Sequence, residues 1–267
     1  MKIENYTIIS LSDKRQRIFN RTKNILKDLK EHKIESVDAS NIDNINNFFY
    51  NNPEIQEVRC YRTGFIGHMM SQINILKYCI RHNIKNMLIL EDDAVLSDTF
   101  VKDLNMLLTK LPEDFDYFML FEDKARPKCY LLSKIESRSF DPVTVDQKRK
   151  DLDMIHSDWL IENNDLIVRV YQKLGSVGYL VSLQGCKKIL DLIETNGFGT
   201  SRRNGTGYDE LIYYFAKFDK LNGYQPNPKL DINKLITVEP SIIGTDTEST
   251  IRHSSYTCLS DILNIHG

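Results

Sequence analysis

The sequence lacks the cysteine pairs that staple small secreted domains or hold zinc. Its five cysteines, at 60, 79, 129, 186 and 258, are odd in number and never fall as Cys-x-x-Cys. That argues against a disulfide framework or a structural zinc site and in favour of a reducing compartment. No apolar run approaches the roughly 18 residues of a membrane helix. The stretch Tyr6–Leu11 is too short for a signal-peptide core, so a soluble cytoplasmic protein is expected (in the host cytoplasm for a viral source). Neither charge is in excess: 35 Lys and Arg stand against 37 Asp and Glu. There is no electrostatic basis for binding nucleic acid or an acidic membrane. The glycine patterns of a P-loop and of Gly-x-Gly-x-x-Gly are missing. Ser10, Ser71 and Ser182 lack the Gly-x-Ser-x-Gly elbow of hydrolases. No paired Asp/His motif supplies the second metal cluster of a phosphohydrolase, and no internal repeat occurs. Nothing in the sequence speaks to oligomeric state.

What is present reads as one α/β domain over residues 1–267. The chain opens strand, helix, strand: Tyr6–Leu11, then apolar residues at helical spacing from Ile18 to Leu29, then Ile34–Val37. That opening suits a nucleotide-binding half. Residues 41–63 are Asn-rich and read as irregular. A helix follows over Gly64–Ile80, with Ile66, Met69, Met70, Ile73 and Leu76 on one broad face. Met87–Leu90 reads as a central buried strand. The next elements are a helix from Ser97 or Asp98 to Leu111, a strand at Tyr117–Phe121, a strand at 176–181, and helices at 184–193 and 208–218. Residues 122–170 hold the only tryptophan and read as an insertion beside the site or an acceptor-side region.

The buried strand ends abruptly in Glu91-Asp92-Asp93. Carboxylates at the C-terminal end of a strand lie where α/β folds bind ligands. Three like charges together invite a cation, and oxygen ligands select a hard ion such as Mn2+ or Mg2+. The run reads either as a metal site bridging a diphosphate or as a solvated acidic turn.

Several motifs taken together resemble glycosyltransferase family 25, which holds lipooligosaccharide galactosyltransferases and collagen galactosyltransferase domains. They are the first strand with Arg15 and Arg17, Gly64-Phe65-Ile66-Gly67 with Ser71, Leu88–Asp93, and Gly178–Leu190, which is similar to the family's Tyr-x-x-Ser-x-x-Gly segment. The resemblance covers most of residues 6–251. This chain departs from it at His68, where the family often has cysteine, and at Gln72, where it usually has histidine.

The resemblance implies a GT-A type α/β fold with a mixed, mostly parallel sheet flanked by helices. It also implies a UDP-sugar donor, a divalent ion, a glycan or glycosylated acceptor, and inversion at the anomeric carbon. Carried over, Asp93 is the firmest metal ligand, with Glu91 or Asp92 second, and His253 is a candidate third ligand or an ordinary surface histidine. Asp209 is the candidate base, with Glu210 its rival; either also reads as an acid complementing a helix N-terminus. Ser10, Leu11, Arg15 and Arg17 follow the first strand, where the nucleotide is gripped. Asp38 is placed for uracil or ribose, or else is a turn residue. Arg62 precedes the glycine turn as a contact for base or phosphate, and Gly64 permits close backbone approach. The rival reading is a catalytically retired GT-A fold that binds or assembles glycans.

Overall fold

A computed structural model describes residues 1–11, 16–55, 63–120, 160–161, 164–169, 177–196, 208, 211–212, 215, 220–227 and 235–238. Along the chain the elements are β1 (Asn5–Ile9), α1 (Gln16–Ile25), β2 (Lys30–Glu31), α2 (Ile42–Asn51), α3 (Thr63–Arg81), β3 (Asn86–Glu91), β4 (Ala94–Leu96), α4 (Phe100–Leu108), β5 (Tyr117–Met119), β6 (Leu160–Ile161), β7 (Asn164–Arg169), β8 (Gly178–Ser182), α5 (Leu183–Asn196), β9 (Gly223–Pro226) and β10 (Ile236–Val238).

Eight strands form one sheet in the order β2-β1-β3-β8-β5-β9-β7-β6, while β10 pairs with β4 in a separate antiparallel ladder. Six of the eight run one way. Only β8 and β7 run against them, so the sheet is mixed, as expected, with three parallel and four antiparallel neighbour pairs.

Side-chain alternation in the central strands makes the layers. Successive residues of a strand point to opposite faces. Met87 and Ile89 of β3, Tyr179 and Val181 of β8, and Tyr117 and Met119 of β5 therefore enter one core. Leu88, Leu90, Leu180 and Phe118 enter the other. α3 and α5 cover the first face with Met69, Met70, Ile73, Cys79, Cys186 and Ile189. α4 covers the second with Phe100, Leu104 and Leu107. Complete burial of side chains of this size stabilises by about 1.5–3 kcal/mol each. Cys79 and Cys186 are buried free thiols.

Some expectations shift. Residues 34–37 are not a strand, because the second strand is only Lys30–Glu31 at the sheet edge. The Asn-rich stretch contains α2, whose first turn is capped by Asn41 accepting from the Asp43 amide and whose Ile45 and Phe48 are buried. The fourth helix begins at Phe100 with Thr99 as its cap residue, not at Ser97 or Asp98. Most of the expected insertion at 122–170 lies outside the described residues, but its end supplies β6 and β7 to the sheet. α3 stops where Asn83 takes a left-handed backbone (φ 50°) and the Ile84 amide reaches back to the Cys79 carbonyl at 3.0 Å. Asparagine tolerates that cap conformation.

Candidate active site

β1 and β3 are parallel neighbours, so their C-terminal ends share one edge of the sheet, with Ile9 opposite Glu91. The residues that follow are tied together there. The Ser10 hydroxyl donates to Asp92 Oδ2 at 2.9 Å, and the Ser10 amide donates to the Ser36 hydroxyl at 3.1 Å. Glu91 continues β3, and Asp92 and Asp93 make the turn into β4. All three acids are partly exposed, and Leu11 is left 59% exposed after Ser10. α1 lies against the exit of this turn, since Thr22 Oγ1 donates to the Ala94 carbonyl at 3.3 Å.

The glycine-containing start of α3 docks residues 36–39. A Cβ on Gly67 would lie 2.5 Å from the Val37 carbonyl oxygen and 3.3 Å from the Ala39 nitrogen. Only glycine allows that approach without displacing backbone. One turn on, the buried Ser71 hydroxyl donates to the Gly67 carbonyl at 2.7 Å and accepts from the Val37 amide at 2.8 Å. Val37 thus spends its backbone donor on a side chain and not on a strand.

α3 also reaches the acidic turn. His68 Nε2 lies 3.3 Å from Glu91 Oε1, with side chains 21% and 27% exposed. It is also 3.1 Å from Gln72 Nε2. Gln72 is fully buried and accepts from the Tyr179 hydroxyl at 2.6 Å. That hydroxyl in turn lies 3.1 Å from the Tyr208 hydroxyl. Burial holds the phenols of Tyr179 and Tyr208 well above the ordinary tyrosine range. Both remain protonated donors at any working pH. None of these four was singled out from sequence as a site residue. The available signal was Gln72 itself, an amide inside the apolar stripe of α3, because a buried polar group has a partner.

The remaining expected residues divide. Asp38 serves its own turn: Oδ1 accepts from the Ser40 hydroxyl at 2.7 Å and the Ser40 amide at 2.9 Å, and these bonds lower its pKa from the usual carboxylate value. Arg17 is exposed on α1, and Gly64 lies in the first turn of α3. Arg15, Arg62, Asp209, Glu210 and His253 lie outside the described residues. Among the described residues, no group of three His, Cys, Asp or Glu side chains is arranged to hold a metal ion. The acidic run is therefore not a complete ligand set by itself. Two carboxylates would still suit Mg2+ or Mn2+, which commonly take one or two acids and fill the remaining positions with phosphate oxygens and water. A polar cleft of about 180 Å3 is lined by Glu35, Ser36, Val37, Asn44, Asn47 and Phe48 among others, and Glu91, Asp92 and Asp93 do not line it. No described helix is long and apolar enough to cross a membrane.

Comparison with known proteins gives the following. The family model for glycosyltransferase family 25 (LPS biosynthesis protein) matches residues 3–204. No curated protein sequence matches the chain. Among solved structures, mouse xyloside xylosyltransferase 1 in its apo form is similar at 10% identity with a TM-score of 0.37, over 83% of this chain and 84% of that one.

Proposed function

The chain belongs to glycosyltransferase family 25, and from that premise we propose that it transfers a hexose or N-acetylhexosamine from a UDP-sugar to a hydroxyl of a glycan or glycosylated acceptor, with inversion. The observation that carries the finer reading is the tether between Ser10 and Asp92. It gathers the ends of two parallel strands and the acidic turn at one sheet edge, the place where open α/β sheets take nucleotides.

In this reading Ser10, Leu11 and the docked segment 36–38 receive the nucleoside. Arg15, Arg17 and Arg62 are the candidate contacts for its phosphates. Asp93, with Glu91 or Asp92, would hold Mn2+ or Mg2+. When bound, the ion supplies positive charge to the diphosphate and makes UDP a better leaving group. The acceptor oxygen attacks the anomeric carbon from the side opposite UDP. Its proton passes to Asp209 or Glu210, and the bond to UDP breaks with its electron pair going to the phosphate oxygen. His253 remains the candidate for a further ligand.

The test is UDP release from a panel of UDP-hexoses and UDP-N-acetylhexosamines with Mn2+ and no acceptor. The reading predicts slow release from at least one donor. EDTA should abolish it, and Asp93→Ala should lower it by roughly a hundredfold or more. UDP binding without release from any donor, with or without a glycan acceptor, would make this a binding protein on a retired transferase fold.

A further inference from the structure

Behind the acidic turn, a chain of polar side chains crosses a core that is otherwise apolar. It runs Glu91, His68, Gln72, Tyr179, Tyr208, with successive contacts of 3.3, 3.1, 2.6 and 3.1 Å. Gln72, Tyr179 and Tyr208 are each 0% exposed. Tyr179 and Tyr208 belong to the same buried core as Met69, Ile73, Ile89, Cys186 and Leu211. Burying an amide and two hydroxyls in such surroundings costs stability unless each is hydrogen-bonded. Nothing in the packing alone calls for polar groups there.

We propose that His68, Gln72, Tyr179 and Tyr208 form a positioning relay that fixes the Glu91 carboxylate from the core. This inference rests on the transferase reading, in which Glu91 is a candidate ligand of the ion that binds the donor diphosphate. A ring contact reinforces the relay, since His68 and Tyr208 meet edge-on with centroids 6.2 Å apart.

Two polarities can be written for the chain. In one, the single Tyr179 hydroxyl proton goes to Gln72 Oε1, the Gln72 amide donates to His68 Nε2, and Tyr208 donates to Tyr179. In the other, the Gln72 amide is turned, His68 Nε2–H is shared between Gln72 and Glu91, and Tyr179 donates to Tyr208. Only the second fills every link, because an Nε2 that accepts from Gln72 has no proton left for Glu91; it is the setting in which the relay reaches the carboxylate. A group ordered in this way loses little further freedom when ligand binds. The two departures from the family pattern, His68 and Gln72, are one helical turn apart and in contact with each other. Imidazole and amide appear here as a matched pair.

The experiment is calorimetric titration of UDP in Mn2+ into the full chain and three variants, with each melting temperature measured alongside. Tyr179→Phe cuts the relay at its middle, and Gln72→Met removes the amide at similar volume. Tyr224→Phe is the control, an equally buried tyrosine on the opposite face of the sheet. The relay predicts that both relay variants lose roughly threefold to tenfold in Mn2+-dependent UDP affinity, the worth of a lost buried hydrogen bond. Tyr224→Phe should keep the parent affinity even at a similar drop in melting temperature. Relay variants with parent affinity, or losses in all three variants that simply follow melting temperature, would overturn the relay while leaving the donor site standing. A parent chain that does not bind UDP would remove the transferase reading and the relay with it.

Discussion

At His32 the fold sets a charge state. The ring is buried, with Nε2 2.9 Å from Asn5 Oδ1 and Nδ1 3.2 Å from the Tyr78 hydroxyl. Burial first, then the positive charges of Lys30 and His82, push its pKa below the ordinary imidazole value. A histidine lowered on folding favours the neutral form. Its contribution is complete above the unfolded pKa of about 6.5 and is lost as pH falls through the lower folded value. Urea midpoints should therefore fall from pH 7 to pH 5, and His32→Gln should flatten that slope; an unchanged slope would contradict the assignment. At this same scale the acidic run was legible from sequence, because an apolar strand breaking into three carboxylates needs no partner to be noticed. The relay was not legible. The partner of Gln72 is Tyr179, 107 residues away, and its local neighbours gave only the oddity of an amide among methionines and isoleucines.

At the scale of elements, α3 is the part that organises the site. It docks segment 36–39 through Gly67 and Ser71, and it sends His68 to Glu91. Gly67→Ala would drive a methyl into the Val37 carbonyl, 2.5 Å from the ideal Cβ. The expected cost is about 1–3 kcal/mol of stability, as for other overpacked sites. UDP affinity should fall too, because the segment displaced is the one bonded to Ser10. A variant with parent melting temperature and parent affinity would contradict this account of the glycine. α3 and β3 were readable because their apolar residues repeat at clean helical or strand spacing. α2 was not, because asparagine is a poor helix former. What fixes that helix is one cap at Asn41 and the burial of Ile45 and Phe48. Segment 34–37 looked like a strand from its apolar residues, but the Ser36 hydroxyl accepts from the Ser10 amide and the Val37 amide donates to the Ser71 hydroxyl.

At the scale of the whole molecule, the fold class was legible and the strand order was not. Alternating strands and helices announce an α/β sheet. The neighbours of β8, however, are β3 and β5, which precede it in the chain by about 90 and about 60 residues, pairings that no local pattern encodes. Those pairings seat Tyr179 within reach of Gln72 on α3, while the parallel β1–β3 pairing brings the ends of those two strands to one edge. Family membership supplies glycosyl transfer, and the function proposed above puts the donor at the turn that Ser10 ties to Asp92. The most direct measurement is a calorimetric titration of UDP with Mn2+, repeated in EDTA and with Asp93→Ala. The account predicts saturable binding that weakens by at least tenfold when either the ion or the Asp93 carboxylate is removed. Equal affinity in all three titrations, or no binding in any, would contradict a metal-dependent donor site at this turn.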